Sequence, residues 1–351
     1  MNGTRLLLIG TGGIATQHIA EFGRVSGCAI VACVDAIPGR AETFAREHGI
    51  TRSFRALDEA IAWNEFDAAI NGTPDDVHKP TTLQLIAANK PIFCEKPLAP
   101  SYSDALEMTE AAEAAGLVNM VNLTYRNSPA LQKARSMVQA GELGPLRHVE
   151  AAYRQSWLTA ETWGDWRTQQ KWLWRLSSRH GSTGVLGDVG VHILDFATYG
   201  AADKIVRLNA DLVVFPKVEG DAICEYKLDA NDSMAMTARF AGGALATIVA
   251  TRYATGHIND LSLTLHGLKG ALRVQTDGVN SKLEGCFGKG IDPAVWREIP
   301  TQPTARNAAR FIQAFRTGIN GEPSFRRAAE MQRLIDGAFE SGRTGMAVQF
   351  S

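Results

Sequence analysis

The chain has 351 residues, 45% hydrophobic and 21% charged, which suits a globular protein with a large core and room for two domains. A formal net charge of −1 argues against a nucleic-acid or acidic-membrane partner, and no apolar run approaches the roughly 18 residues of a membrane span. The amino terminus passes at once into a strand without signal-peptide architecture, and the five cysteines (Cys28, Cys33, Cys94, Cys224, Cys286) are scattered, which predicts reduced thiols in a cytoplasmic protein rather than a disulfide or zinc framework.

Leu6–Ile9 reads as a buried strand that runs directly into Gly10-Thr11-Gly12-Gly13-Ile14-Ala15. A helical stretch to Phe22 and a second apolar strand, Ala29–Val34, end at Asp35. A glycine-rich turn alone would suit a tight loop in any α/β protein. Strand, turn, helix, strand and acid in this order instead predict a dinucleotide-binding βαβ unit. Gly10 permits the tight turn and Gly12 lets the backbone approach a pyrophosphate. The turn Gly10–Ile14, Thr11 and Gly13 included, presents helix-start amides to the phosphates. Asp35 is placed to accept the ribose hydroxyls and would repel a 2′-phosphate, favouring NAD. Arg40, five residues on, softens that preference and leaves NADP open.

The alternation continues with a strand at Phe66–Asn71, the turn Gly72-Thr73-Pro74, and a helix beyond His78. Pro91–Cys94 is the next strand, ending in Glu95-Lys96-Pro97. Ser101, with Asp104 three residues later, suits a helix cap. Leu117–Asn122 ends a predicted doubly wound parallel sheet of six strands, five of which the sequence places. Thr73-Pro74 and Lys96-Pro97 fall at consecutive strand ends, with His78 and Glu95 beside them, so both turns border the nicotinamide. A lysine ammonium there can hold a substrate oxygen or shuttle a proton.

After residue 124 the pattern changes. Residues 1–124 read as an NAD(P)-binding Rossmann domain, and 125–351 as an α+β domain for substrate binding and oligomerisation. The fold class is α/β, with a large, mostly antiparallel open sheet in the second domain. A helix over 128–140, a strand over 147–155, an irregular stretch over 156–183 and a helix over 189–199 come first. Alternating strands follow: Met234, Met236, Ala238 and Phe240 share one face, as do Leu261, Leu263 and Leu265. The opposite face is either solvated or a self-association surface. Helices over 304–317 and 325–341 end the chain.

Asp188 and His192 are spaced to project from one side of the helix expected from about Val189. That start places His192 in the first turn, where the helix dipole disfavours imidazolium and keeps the ring ready to accept a proton. Asp188 is read either as a plain N-cap or as a partner in catalysis. Trp157, Trp163, Trp166, Trp172 and Trp174, interleaved with arginines, either pin a long loop or form a platform for a sugar ring. No metal site is expected, since His78, Asp188, His192 and Asp195 lack ligand spacing.

Across its whole length the chain resembles the glucose–fructose oxidoreductase / inositol dehydrogenase family, Gfo/Idh/MocA. The resemblance rests on Gly10–Ala15, Thr73-Pro74 with His78, Glu95-Lys96-Pro97, and Gly187-Asp188-Val189-Gly190-Val191-His192. Arg126 with Pro129, and Gly141-Glu142-Leu143-Gly144, look like the family's domain junction, and Ala15 in place of a third glycine is the one fingerprint variation. The resemblance implies a catalytic set of Lys96, Asp188 and His192, with substrate-side positions at Tyr125, Tyr153 and Gln155. Trp157 joins them on the platform reading. It implies an NAD(P)-dependent dehydrogenase acting on a secondary alcohol of a sugar, inositol or related polyol, assembled as a homodimer or homotetramer through the second domain's sheet. A glycosidase with tightly held NAD and a non-catalytic dinucleotide sensor are the alternatives.

Overall fold

Leu6, Leu7 and Leu8 have no exposed surface, as expected for a strand buried on both faces of a parallel sheet. They lie in the computed structural model's first unit, which comprises the chain up to Leu123 together with Ala305–Arg333; residues 3–350 are described in all. Its strands are β1 (Thr4–Ile9), β2 (Cys28–Val34), β3 (Arg52–Phe54), β4 (Ala68–Asn71), β5 (Ile92–Cys94) and β6 (Asn119–Val121). All pair in parallel, in the order β3-β2-β1-β4-β5-β6. The order reverses beside β1, and ligands bind at the carboxyl edge of such a reversal. The sequence reading did not place β3. It is three residues long, pairs only with β2 and is nowhere fully buried, so it carries no period to read.

The helices α1 (Ala15–Gly23), α2 (Arg40–His48), α3 (Leu57–Trp63), α4 (His78–Ala87) and α5 (Tyr102–Ala114) connect the strands. Ser101 caps α5, its hydroxyl accepting from the Asp104 amide at 3.2 Å. The helix Asn307–Thr317 belongs to this unit. Its Phe311 is fully buried, with ring centroids 6.4 Å from Phe22 and 5.5 Å from Phe93. Arg316 donates to the carbonyls of Ser26 and Gly27 at 2.8 Å each. The amide of Val121 donates to Pro323 at 2.9 Å, so the returning chain also covers the β6 edge.

The second unit comprises Thr124–Thr304 and the chain from Leu334. It contains α6 (Pro129–Gln139), β7 (Leu146–Gln155), the short α7 (Gln170–Leu173), α8 (Val191–Gly200) and β8 (Ile205–Val213). Then come the ribbon β9 (Ala222–Ile223) and β10 (Tyr226–Lys227), β11 (Ser233–Phe240), β12 (Leu245–Thr251), β13 (Asn259–Gly267), β14 (Gly270–Thr276), β15 (Ser281–Phe287), β16 (Arg297–Glu298) and β17 (Val348–Gln349). Nine strands form one sheet, β16-β15-β14-β13-β7-β12-β11-β8-β17, in which only β7 and β12 run parallel.

The alternation read from the sequence is the burial pattern: Met234, Met236, Ala238 and Phe240 are buried, while Ala235, Thr237 and Arg239 are exposed. Helix α8 lies on the apolar face so closely that a Cβ on Gly200 would come within 2.4 Å of Leu263. Leu245 and Val249 stand exposed on the other face. Among the described residues no helix is long and apolar enough to cross a membrane.

Replacing Phe311 by alanine is expected to destabilise the first unit by about 3–5 kcal/mol. Urea denaturation would measure this, and an unchanged midpoint would remove the returning helix from the core.

Candidate functional site

The first group of candidate residues sits at the carboxyl ends of β1 and β2. Gly10 has φ +85°, and a Cβ there would lie 2.6 Å from the carbonyl of Gly72, so only glycine fits between the ends of β1 and β4. Gly12 differs. A Cβ there would meet only the Arg40 guanidinium at 3.5 Å, and on Gly13 it would meet nothing within 4 Å. The fold does not need glycine at these positions; the open space beside them does. Ile14 precedes α1 without a side-chain cap, and the first turn holds no acid, so nothing of the chain's own neutralises the helix start. This cradle fits a dinucleotide pyrophosphate.

Asp35 accepts from the Thr11 amide (2.9 Å) and hydroxyl (2.7 Å) and from the Ile37 amide (3.0 Å). Arg40 Nε lies 3.7 Å away. Burial alone would raise this carboxyl. The bonds from Ile37 and Thr11 and the Arg40 charge outweigh it and hold Asp35 below the ordinary carboxylate range.

Thr73, Pro74, His78, Glu95 and Lys96 gather at the ends of β4 and β5. Thr73 donates to Asn71 Oδ1 at 2.7 Å, and Asn71 in turn donates to Thr81 at 2.8 Å and Thr82 at 3.1 Å. His78 is fully buried, with Nδ1 2.9 Å from the Pro97 carbonyl and Nε2 2.9 Å from the Thr73 carbonyl. Its ring is thus a strut between the two strand-end loops.

Glu95 Oε1 pairs with His18 Nε2 of α1 at 3.1 Å and accepts from Asn122 at 2.7 Å, while Oε2 accepts from the Lys96 amide at 3.2 Å. Burial opposes its charge, but the His18 and Asn122 bonds, with the His18 and Lys96 charges, hold the carboxyl at about 2. The sequence reading missed His18 and Asn122. His18 lies three residues beyond Ala15 on the inward side of α1, a spacing that could have found it.

In the second unit the helical path begins at Gly184, not near Val189. Gly184 has φ +68°, and a Cβ there would lie 2.4 Å from the Asn231 amide nitrogen. Asn231 supplies the cap from elsewhere in the chain: its carbonyl accepts from Val185 (2.7 Å) and its Oδ1 from Leu186 (3.0 Å). A wide π turn, Leu186–Gly190, then leads into α8. This corrects two expectations. His192 lies two turns inside the helix, beyond the dipole of the first turn. Asp188 is no N-cap; its Oδ2 accepts from Arg252 Nη2 at 3.0 Å. His192 is 7% exposed, with its ring edge-on to Tyr125 at 5.0 Å and 6.4 Å from Tyr153.

Tyr125, Tyr153 and Gln155 come together around Asn259, which the sequence did not single out. The two tyrosine hydroxyls are 2.6 Å apart, Tyr153 donates to Asn259 Oδ1 at 2.7 Å, and Asn259 Nδ2 donates to Tyr125 at 2.9 Å. Gln155 donates to Asn259 at 3.0 Å and accepts from the Trp157 indole at 3.2 Å. Burial first, and then neighbouring Tyr125, push the Tyr153 phenol well above its ordinary value, so it stays neutral.

The tryptophan segment is packed into its own unit. Trp157 and Trp166 are buried with Leu158, Leu173, Leu176 and Leu228, and Trp172 stacks between Trp157 at 5.3 Å and Trp163 at 6.1 Å. Among the described residues no group of three or more His, Cys, Asp or Glu is arranged to hold a metal ion, and all five cysteines are free thiols.

Residues 4–123 match a family model described as an oxidoreductase family with an NAD-binding Rossmann fold, and residues 131–273 match the GFO/IDH/MocA C-terminal domain. The chain belongs to the Gfo/Idh/MocA family. Levoglucosan dehydrogenase of Pseudarthrobacter phenanthrenivorans is 27% identical over 68% of this chain and 63% of that enzyme. D-apiose dehydrogenase of Rhizobium rhizogenes is 25% identical over 99% of this chain and 98% of its own length. The chain spans only about half of some other curated relatives it matches. A solved levoglucosan dehydrogenase in complex with NADH and levoglucosan shares the fold, with a TM-score of 0.87, 22% identity and 99% of each chain covered. The stretch that matches the NAD-binding Rossmann model contains the glycine cradle and the strand ends that carry Asp35, Glu95 and Lys96.

Two outcomes test this half of the site. Gly12→Val should leave stability within about 1 kcal/mol of the parent, because the chain leaves room for it, yet abolish NADH binding in a fluorescence titration. Unimpaired binding would place the pyrophosphate elsewhere. Glu95→Gln should cost roughly 3 kcal/mol at pH 7, from a carboxyl held at about 2 instead of 4.5. The sign follows from the depression: this stability is fully present above 4.5 and is lost as pH falls towards 2. Urea midpoints of parent and variant should therefore converge across that window, and parallel curves would disprove the assignment.

Proposed function

We propose that the chain is an NAD-dependent dehydrogenase or reductase acting on a secondary alcohol of a sugar, inositol or related cyclic polyol. The observation that carries it is the arrangement at one sheet edge: an open glycine cradle after β1, an Asp35 carboxylate held in its charged form after β2, and Lys96 after β5, two strands from the cradle. Relatives named for levoglucosan and D-apiose support the substrate class. Asp35 favours NAD, since a 2′-phosphate would meet a carboxylate that Arg40 only partly offsets.

Bound NAD supplies the carbon that accepts or returns the hydride; the chain's residues manage the proton. Lys96 donates to the substrate oxygen and stabilises developing alkoxide charge, and His192 removes the hydroxyl proton, returning it in reduction. Asp188 acts as a fixed carboxylate that polarises the site. Tyr125, Tyr153, Gln155 and Trp157 form the wall on the substrate side. The first unit binds the cofactor, and the second binds substrate and self-associates, as a homodimer or homotetramer, through the open face carrying Leu245 and Val249. We place the protein in the cytoplasm.

The test is NADH fluorescence with levoglucosan, D-apiose, glucose, myo-inositol and sugar acids, with NADP run beside NAD. At least one compound should give steady NADH production. Lys96→Ala and His192→Ala should each lower kcat by roughly 10²–10⁴-fold while still binding NADH. Full turnover in His192→Ala would end its assignment as the base.

A further inference from the structure

The alternation of β12 continues one step beyond its end. Ala246, Ile248 and Ala250 are buried, and Arg252 is the next residue in that register, with no exposed surface. A guanidinium so far from water is costly unless a charged partner offsets its desolvation. Its Nη2 donates to Asp188 at 3.0 Å and its Nη1 to the Arg175 carbonyl at 3.1 Å, while its plane lies 4.9 Å from the Trp157 ring. Its main-chain amide donates to the Asp232 carbonyl at 3.0 Å, and Asp232 is itself paired with a fully buried Lys217 at 2.6 Å. The guanidinium is therefore held by two hydrogen bonds and the Trp157 ring while its buried Nε has no partner among the described residues, and Asp188 is where its charge is directed.

We infer that Arg252 is a positioning residue for the reaction, holding Asp188 in one orientation and in its charged form. This rests on the reading that Asp188 belongs to the proton-handling set. Besides Arg252, the titratable groups near Asp188 include Arg175, with Nε 3.9 Å from the same oxygen, Tyr153 from β7, and His192 one turn along the helix. Arg175 is partly exposed and donates to the Lys171 carbonyl at 2.6 Å, so the fully buried Arg252 guanidinium supplies the fixed, directional bond to a carboxylate that is itself partly exposed. A carboxylate deprived of that cation is protonated at higher pH. Asp188 would then be neutral, and freer to rotate, over a range where the parent enzyme keeps it charged. Merely holding the loop together would affect stability without moving any catalytic titration.

The experiment compares pH profiles of kcat and kcat/KM for the parent, Arg252→Lys, Arg252→Gln, Arg252→Met and Asp188→Asn, using the panel compound turned over fastest. Near-UV circular dichroism and the urea midpoint check that the second unit of each variant, which carries both residues, is folded, and NADH binding checks the first. Arg252→Met and Arg252→Gln should lower kcat on the order of 100-fold through misplacement. Their acid limb should move up by about one pH unit or more. The glutamine variant keeps a polar donor and carries the test if methionine does not fold. Arg252→Lys keeps the charge, so its acid limb should stay in place and most of the turnover should return. Adding Arg252→Gln to Asp188→Asn should cost nothing further, as expected when one residue acts through the other.

Neutral Arg252 variants with the parent's acid limb and kcat, beside an inactive Asp188→Asn, would overturn this inference and leave the proposed function standing. A fully active Asp188→Asn would instead overturn the assignment on which the inference rests.

Discussion

A carboxylate taken out of water at the end of β5 sets the geometry of the first unit. Glu95 is only 8% exposed, and an unpaired buried carboxylate costs several kcal/mol. Its partners come from three places: His18 on α1, Asn122 just beyond β6, and the amide of Lys96 itself. Any tilt of α1 away from the sheet would strand that charge. The start of α1 is also the glycine cradle. One buried interaction therefore ties the phosphate-facing amides to the backbone that carries the lysine. The His78 strut and the Asn71 network add a second tie, between the ends of β4 and β5.

The second unit uses the same logic with the sign reversed, burying arginines and drawing carboxylates to them. Arg126 is 1% exposed and grips Asp195 through two bonds of 2.6 and 2.7 Å, with its guanidinium 3.6 Å from the Tyr199 ring centre. Arg252 grips Asp188. These two carboxylates anchor the helical path at points on either side of His192. Breaking such a pair by removing one partner leaves a buried charge uncompensated, which makes each anchor stiff. Tyr125 immediately precedes Arg126, so the Arg126–Asp195 pair also holds the tyrosine ring against His192. The imidazole is positioned by neighbours that are fixed on both flanks, not by the helix dipole.

Much of this was legible in the sequence because it depends on local pattern. The glycine turn, the apolar strands and the every-second-residue alternation of β11 and β13 each follow from the chain's immediate neighbours. What escaped depends on partners far away in sequence. Asn231 caps a helix more than forty residues upstream, and that shifted both the start of the helix and the electrostatics expected at His192. Asn259 joins Tyr125 across 134 positions. Arg252 was not singled out: the alternation Ala246, Ile248, Ala250 that leads to it could have suggested burial, but only the fold identifies its carboxylate partner as Asp188. The short β3 left no pattern at all.

The polar ring around Asn259 bears on how a polyol could be told from its isomers. Tyr125, Tyr153 and Asn259 already satisfy one another, so a substrate hydroxyl gains little by replacing a single bond of the ring. Only a ligand offering both a donor and an acceptor at the right spacing leaves no partner unsatisfied. On the proposed reading, one that offers less would leave a partly buried polar group unpaired, and such a penalty discriminates more strongly than an added favourable contact. The tryptophans reinforce this by rigidity. Trp157 is buried and bonded to Gln155, which is itself bonded to Asn259, so the wall cannot readily give way to a poorly fitting ring. The aromatic segment would, on the same reading, shape recognition from behind the polar surface.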